Sequence, residues 1–204
     1  MAKGYIDPKY VSKLIGQSNR LKDRARQEAI KIFIDSKVKM INEFDNHVVT
    51  KEINGGNTAQ NESQTLNGQS NLFSFIGFTE EGEHPTEKLR QTLLEKTEID
   101  LTPEITNDEN SIIYSYSVTV PDEKEITEAT KMPWESGKGW AVGIEKGISG
   151  FSHFLGGLFN ASRSKGGIQS KHEVKSVNFK PIFYLSEIFR NFKLNLRGVK
   201  TEKE

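Results

Sequence analysis

Gly137-Lys138-Gly139 is the first place in this sequence where residue types suggest chemistry, because glycine-flanked lysines can cradle phosphate. A loop of that kind needs a glycine five residues before the Gly-Lys pair and a Ser or Thr after the lysine, so that backbone N–H groups converge on the anion. Position 132 is Met and position 139 is Gly, so both requirements fail, and the triplet reads as a flexible helix entry. The four histidines, His47, His84, His153 and His172, are scattered, with no second ligand at metal-site spacing. There is no cysteine, hence no thiolate or disulfide chemistry, and no Gly-x-Ser-x-Gly elbow. Acidic pairs such as Glu80-Glu81 and Asp122-Glu123 stand at helix starts, where the helix dipole alone accounts for carboxylates. On this reading the chain has no catalytic residue, no metal and no cofactor.

Contact residues are easier to find than catalytic ones. Arg163 and Lys165, with Lys171 nearby and no acid between Lys146 and His172, form the best local candidate for a phosphate contact. A mobile loop kept soluble by its charges is the plainer account of the same residues. Trp134 and Trp140 lie at the entry to a segment too glycine-rich to stand alone, with nine of the seventeen glycines between Gly137 and Gly167. Aromatic anchors in such a place suit burial against another element or a partner.

These residues must be positioned by a mixture of helices and strands. Leu21, Ala25, Ala29, Ile32 and Phe33 recur at three- and four-residue steps and predict a helix from about Ser18 to Phe44, with Val38, Met40 and Ile41 continuing the stripe. Its length would be roughly 40 Å. The other face carries Arg20, Lys22, Arg24, Arg26 and Lys31, then Lys37 and Lys39. That face is either solvated or set against an acidic neighbour. Val48-Val49-Thr50 reads as a short strand. Residues 54–71 are almost purely polar and read as a loop or arm that orders on a partner. Leu72 to Phe78 reads as a buried strand, and Pro85 opens a helix to about Lys96 with Leu89, Leu93 and Leu94 as its apolar face. Ile112, Tyr114, Tyr116, Val118 and Val120 alternate with polar residues, which predicts a strand with one face buried. A short acidic helix from Asp122 to Thr130, a helix bearing Trp140, Ile144, Ile148 and Phe151, a second strand near 172–179 and a closing helix after Pro181 complete the order. The pattern is a single α+β domain over 1–204, with a mixed or antiparallel sheet packed by a long N-terminal helix and a C-terminal helix.

Charge is neutral in total and segregated in position. The 28 basic and 28 acidic side chains cancel, yet residues 1–51 carry eleven bases against six acids, residues 52–130 four against sixteen, and residues 131–204 thirteen against six. A neutral total argues against a general polyanion binder, while the asymmetry allows opposite charges of adjacent copies to meet. Hydrophobic content of 34% and mean hydropathy of −0.59 are low for a globule that stands alone, and suit a fold that leans on neighbours. Neither a secretory leader nor a membrane span is expected from the apolar runs, so a soluble chain in a reducing compartment is the expectation.

The run Met132-Pro133-Trp134-Glu135-Ser136-Gly137-Lys138-Gly139-Trp140, then Gly143 to Phe151 and Ser162 to Gln169, resembles the block found in neck and tail-completion proteins of tailed bacteriophages. The long helix ahead of a strand, and the closing helix after Phe179-Lys180-Pro181, also sit where that family has them. The resemblance covers the last third by sequence and the rest by element order, and the 54–71 stretch has no place in it. It implies a structural virion protein rather than an enzyme, made in the host cytoplasm and located in the neck or tail. Such a subunit forms a homo-oligomeric ring at the head–tail junction or upper tail, completes the tail and lets it join the DNA-filled head. Its partners would be other neck, portal, adaptor or tail proteins, with weak contact to genomic DNA and none to membrane. A tail terminator or another neck connector ring fits equally, and a nucleic-acid-binding module using the first helix and the Arg163–Lys171 loop is the competing class. On the ring reading, Arg20, Arg24, Trp134, Trp140, Arg163 and Lys165 are the expected assembly contacts. Glu80, Glu81 and Glu83 would face either the DNA channel or a neighbouring subunit.

Overall fold

Straight-chain charged residues, Ala, Leu and Ile fill positions 19–46 without a Gly or Pro, and the segment forms one uninterrupted helix, α1 (Asn19–Asn46). The computed structural model describes residues 18–68, 70–79, 84–107, 112–133, 137–146 and 179–197. After α1 come α2 (Val48–Asn54), a 3₁₀ turn (Gly56–Thr58), α3 (Leu72–Ile76), α4 (Glu87–Lys96), β1 (Glu98–Ile99), β2 (Glu104–Asn107), β3 (Ile112–Ser115), β4 (Val118–Thr119), α5 (Glu123–Ala129), α6 (Trp140–Lys146) and α7 (Leu185–Leu196). The architecture is therefore α+β, with α1 and α7 making the most extensive helix–helix contact.

The strands form two small antiparallel ladders, β1 with β4 and β2 with β3. Ile99 pairs with Val118 and Glu104 with Ser115, so four residues on one side of the ribbon oppose two on the other. That excess separates the two ladders, and the amide of Asp100, donating to the Ser117 carbonyl at 2.9 Å, extends the β1–β4 pairing by one bond. The expected strand through Val120 is thus two short strands. Its alternation survives: Ile112, Tyr114, Tyr116 and Val118 are half-buried and their neighbours exposed, while Val120 falls outside the pattern.

Two expected strands are helices. Val48-Val49-Thr50 opens α2, because His47 leaves the helical conformation and its Nδ1 accepts from the Val49 amide at 3.3 Å, capping a new helix. Leu72 to Ile76 is α3, started by the Asn71 side chain, which accepts from the Ser74 amide at 2.9 Å, and closed by Gly77 at φ 85°. Gly77 donates to Ser74 and Phe78 to Phe73, the paired bonds that terminate a helix in a left-handed residue. Burial of most of this short helix explains the run that looked strand-like: Leu72, Phe73, Phe75 and Ile76 are all buried.

The polar stretch 54–71 is not an arm in its described residues. Glu52, 2% exposed, accepts from Asn61 Nδ2 (2.9 Å), the Ser63 amide (3.0 Å) and the Leu72 amide (2.7 Å). Asn61 Oδ1 in turn accepts from the Leu66 and Gly68 amides, and Asn71 Nδ2 donates to the carbonyls of Asn57 and Ala59. Leu66 is fully buried beneath this network. Lys180 also ties the C-terminal segment to it, donating its amide to the Thr65 carbonyl at 2.9 Å.

Aromatic rings pair between elements of the core. Phe33 meets Phe192 edge-on, Phe44 stacks on Tyr184, Tyr184 on Trp140, and Trp140 meets Phe78 at 89°. The helix of α4 contributes Leu89 and Leu93, whereas Leu94 is on its outer side. As expected, Asp122 opens α5, in a reciprocal capping box with Glu125.

Candidate functional site

Several side chains with perturbed or buried polar atoms serve the fold, while Thr97 Oγ1 and Tyr116 Oη are buried without a hydrogen-bond partner among the described residues. Tyr184 is fully buried at the start of α7, its hydroxyl 2.7 Å from Thr50 Oγ1, and burial pushes its pKa well above the ordinary phenol value. Burial likewise lowers the His47 pKa, outweighing the opposing charges of Glu187, Glu43 and Glu145. The His47 ring packs against Tyr184 at 4.8 Å. Glu145 of α6 accepts from the Tyr184 and Ser186 amides at 3.1 and 2.6 Å, so one helix caps the N-terminus of another. Among the described residues no three His, Cys, Asp or Glu side chains converge as a metal site.

The surface is more informative than the interior. The fully buried residues of α1 are Phe33, Ser36, Met40, Ile41 and Phe44, all in its C-terminal half. Arg20, Arg24, Gln27, Lys31, Ile34 and Val38 are exposed and follow at four- and three-residue steps, so they form one ridge along the helix, opposite Phe33, Met40 and Phe44. Ile34 and Val38 are 52% and 54% exposed, one turn apart at the C-terminal end of this ridge. Val38 therefore leaves the apolar stripe that the spacing assigned to it. The basic residues do not share one face either: Lys37 turns to the ribbon, its Nζ donating to the Thr97 carbonyl at 2.7 Å and lying 5.5 Å from the Phe33 ring. Burial lowers the Lys37 pKa, partly offset by Glu98.

Of the expected assembly contacts, Arg20 and Arg24 are on the ridge. Trp140 is not a surface anchor. It is 1% exposed and packs between Tyr184 and Phe78, because α6 turns its Trp140–Ile144 side inward. Trp134, Arg163, Lys165, Glu80, Glu81 and Glu83 lie outside the described residues, as do Ile148, Phe151 and all but Phe179 of the strand expected near 172–179.

No family model, curated protein or solved structure matches this chain. Among the described residues no helix is long and apolar enough to cross a membrane. The apolar pair on the ridge escaped sequence reading because Ile34 sits beside Phe33, and periodicity blurs where two adjacent positions are both apolar. The signal that could have found it is the set of charged residues Lys31, Asp35 and Lys39, four apart, which brackets Ile34 and Val38.

Proposed function

We propose that this chain is a structural subunit of a tailed-bacteriophage particle, forming a homo-oligomeric ring at the head–tail junction or upper tail. The observation that carries the reading is the uncovered ridge of α1, in which two large aliphatic side chains stand in solvent beside three cations. A monomer gains nothing from that arrangement, whereas a ring neighbour would bury it. Glu52, Glu145, Thr50 and Tyr184 are engaged in caps and internal bonds, as side chains that hold a fold together are. The resemblance of the sequence block running through Trp140 to neck and tail-completion proteins supports proposing the head–tail junction or upper tail as the ring's location. Tail completion is the preferred role, with a tail terminator or connector ring as its near neighbours.

The test is composition and symmetry. Native mass spectrometry of the purified chain should show a closed oligomer, and electron microscopy of particles should place it as a ring between head and tail. A chain that remains monomeric and is absent from purified particles overturns the proposal.

A further inference from the structure

We infer that Asn67 is a site of spontaneous covalent modification, where the Asn67-Gly68 link cyclises with loss of ammonia and reopens as aspartate or isoaspartate. The inference is independent of the ring reading. The sequence holds two Asn-Gly pairs, Asn54-Gly55 and Asn67-Gly68. Glycine is the follower that favours this chemistry, because no Cβ shields its amide nitrogen from the preceding side chain. The fold treats the two pairs in opposite ways.

Asn54-Gly55 is held. The Gly55 amide donates to the Lys51 carbonyl at 2.9 Å in the last turn of α2, and Asn54 Oδ1 accepts from Thr86 Oγ1. A Cβ on Gly55 would lie 2.8 Å from Ala59 Cβ, so the backbone there is closely packed. For the Gly55 nitrogen to reach Asn54 Cγ, the end of α2 must unwind and the Thr86 bond must break. Asn67-Gly68 is open. Both residues are exposed, at φ 52° and 75°, and a Cβ on Gly68 would meet nothing within 4 Å. The Gly68 amide donates to Asn61 Oδ1 at 3.2 Å, an exposed side-chain acceptor, so local opening frees it without unwinding a helix or strand.

The Gly68 nitrogen loses its proton to hydroxide and bonds to Asn67 Cγ, and the side-chain nitrogen departs as ammonia, leaving a five-membered imide. Water then cleaves one of the two bonds from that nitrogen. Cleavage at Cγ leaves aspartate in an unchanged main chain, and cleavage at the main-chain carbonyl carbon leaves isoaspartate. The second product lengthens the backbone by a methylene between Leu66, fully buried, and Gly68, tied to Asn61. Asn61 is also a donor to Glu52, so the isoaspartyl form loosens the network that orders residues 54–71.

The test ages the full-length chain in warm, mildly alkaline buffer and follows both sites by peptide mass spectrometry that separates aspartate from isoaspartate. In the native protein Asn67 should convert at least about tenfold faster than Asn54. In urea the two should convert at similar rates, because only the fold distinguishes them. Mildly acidic buffer should slow both, since the attacking nitrogen must lose its proton. Aged wild type should be cut within 54–71 several-fold faster than fresh protein. Asn67→Gly, which suits the positive φ and has no side chain to react, should age without that change. Fresh Asn67→Asp should resist cleavage like fresh wild type, which separates the lengthened backbone from the added charge. Equal native rates at the two sites, faster conversion of Asn54, or an Asn67 that stays intact while the urea sample converts would each overturn the inference. Aged Asn67→Gly that loosens like wild type, or fresh Asn67→Asp already loosened, would overturn the isoaspartyl account of the loop.

Discussion

The Glu52 carboxylate accepts the Leu72 amide at 2.7 Å, joining α2 to the start of α3 across twenty residues of chain. With Asn61 and the Ser63 amide as its other donors, this buried side chain organises a segment whose composition alone suggests a solvated arm. Replacement by alanine leaves three donors facing a small void. Glu52→Ala should cost about 2–4 kcal/mol. The thermal midpoint should fall by roughly 5–10 °C, and proteolysis should begin within 54–71. Glu52→Gln, which keeps one acceptor and the shape, should lose less. Equal stability of Glu52→Ala and wild type in urea titration would remove the network from its central role.

A second non-local cap sits at α7. Glu145 Oε1 accepts from the Ser186 amide at 2.6 Å and the Tyr184 amide at 3.1 Å, and Tyr184 then bonds Thr50. Glu145→Ala should destabilise by about 1–2 kcal/mol, the range of a lost N-cap. Tyr184→Phe, which strands Thr50 Oγ1, should cost about 1 kcal/mol. Because the two sites share Tyr184, a double-mutant cycle should show non-additivity of at least about 0.5 kcal/mol. Strict additivity in chemical denaturation would mean that the cap and the hydroxyl pair act independently.

Legibility in the sequence followed the range of the interactions. The helices α1, α4 and α5 are set by local signals: three- and four-residue apolar spacing, Pro85 ahead of a helix, and the Asp122–Glu125 box. The segments that read as strands were decided otherwise. Val48-Val49-Thr50 is β-branched, yet His47 caps it as a helix and Tyr184 receives Thr50 from 134 residues away. Asn71 and Gly77 bracket α3 and were readable as caps, but seven consecutive residues rich in Phe and Ile obscured the period. At the candidate surface, the charges of Arg20 and Arg24 were visible, while the exposure of Ile34 and Val38 depends on which side α7 and α4 occupy.

Close approach makes Gly139 irreplaceable. A methyl group there would lie 2.5 Å from Thr130 Oγ1 and 2.9 Å from the Thr127 backbone. Thr130 cannot retreat, since its hydroxyl donates to the Ile126 carbonyl and its own carbonyl accepts from the Trp140 amide at 2.6 Å. Gly139→Ala should therefore separate α5 from α6 and cost about 1–3 kcal/mol. Gly137, at φ 85° with open space around it, should cost only about 1 kcal/mol on the same change, through backbone strain alone. Trp140 fluorescence should shift toward that of exposed indole in the first variant and not in the second. A reversed order of stabilities would refute the steric account.

Acidification should be felt first at His47. Its Nδ1 accepts the Val49 amide, which a protonated ring cannot do, and burial holds its pKa below the ordinary value of 6.5 despite three nearby carboxylates. A base with a lowered folded-state pKa binds its proton more readily when unfolded. Its stabilising contribution is therefore complete above about pH 7 and declines as pH falls through the unfolded value toward the lower folded one. His47→Asn keeps a side-chain acceptor for the α2 N-terminus and removes the titration. Urea unfolding of the two proteins should give curves that converge as pH drops from about 7.5 to about 5.5, with wild type losing the more stability. Parallel curves across that interval would show that the imidazole titrates alike in both states.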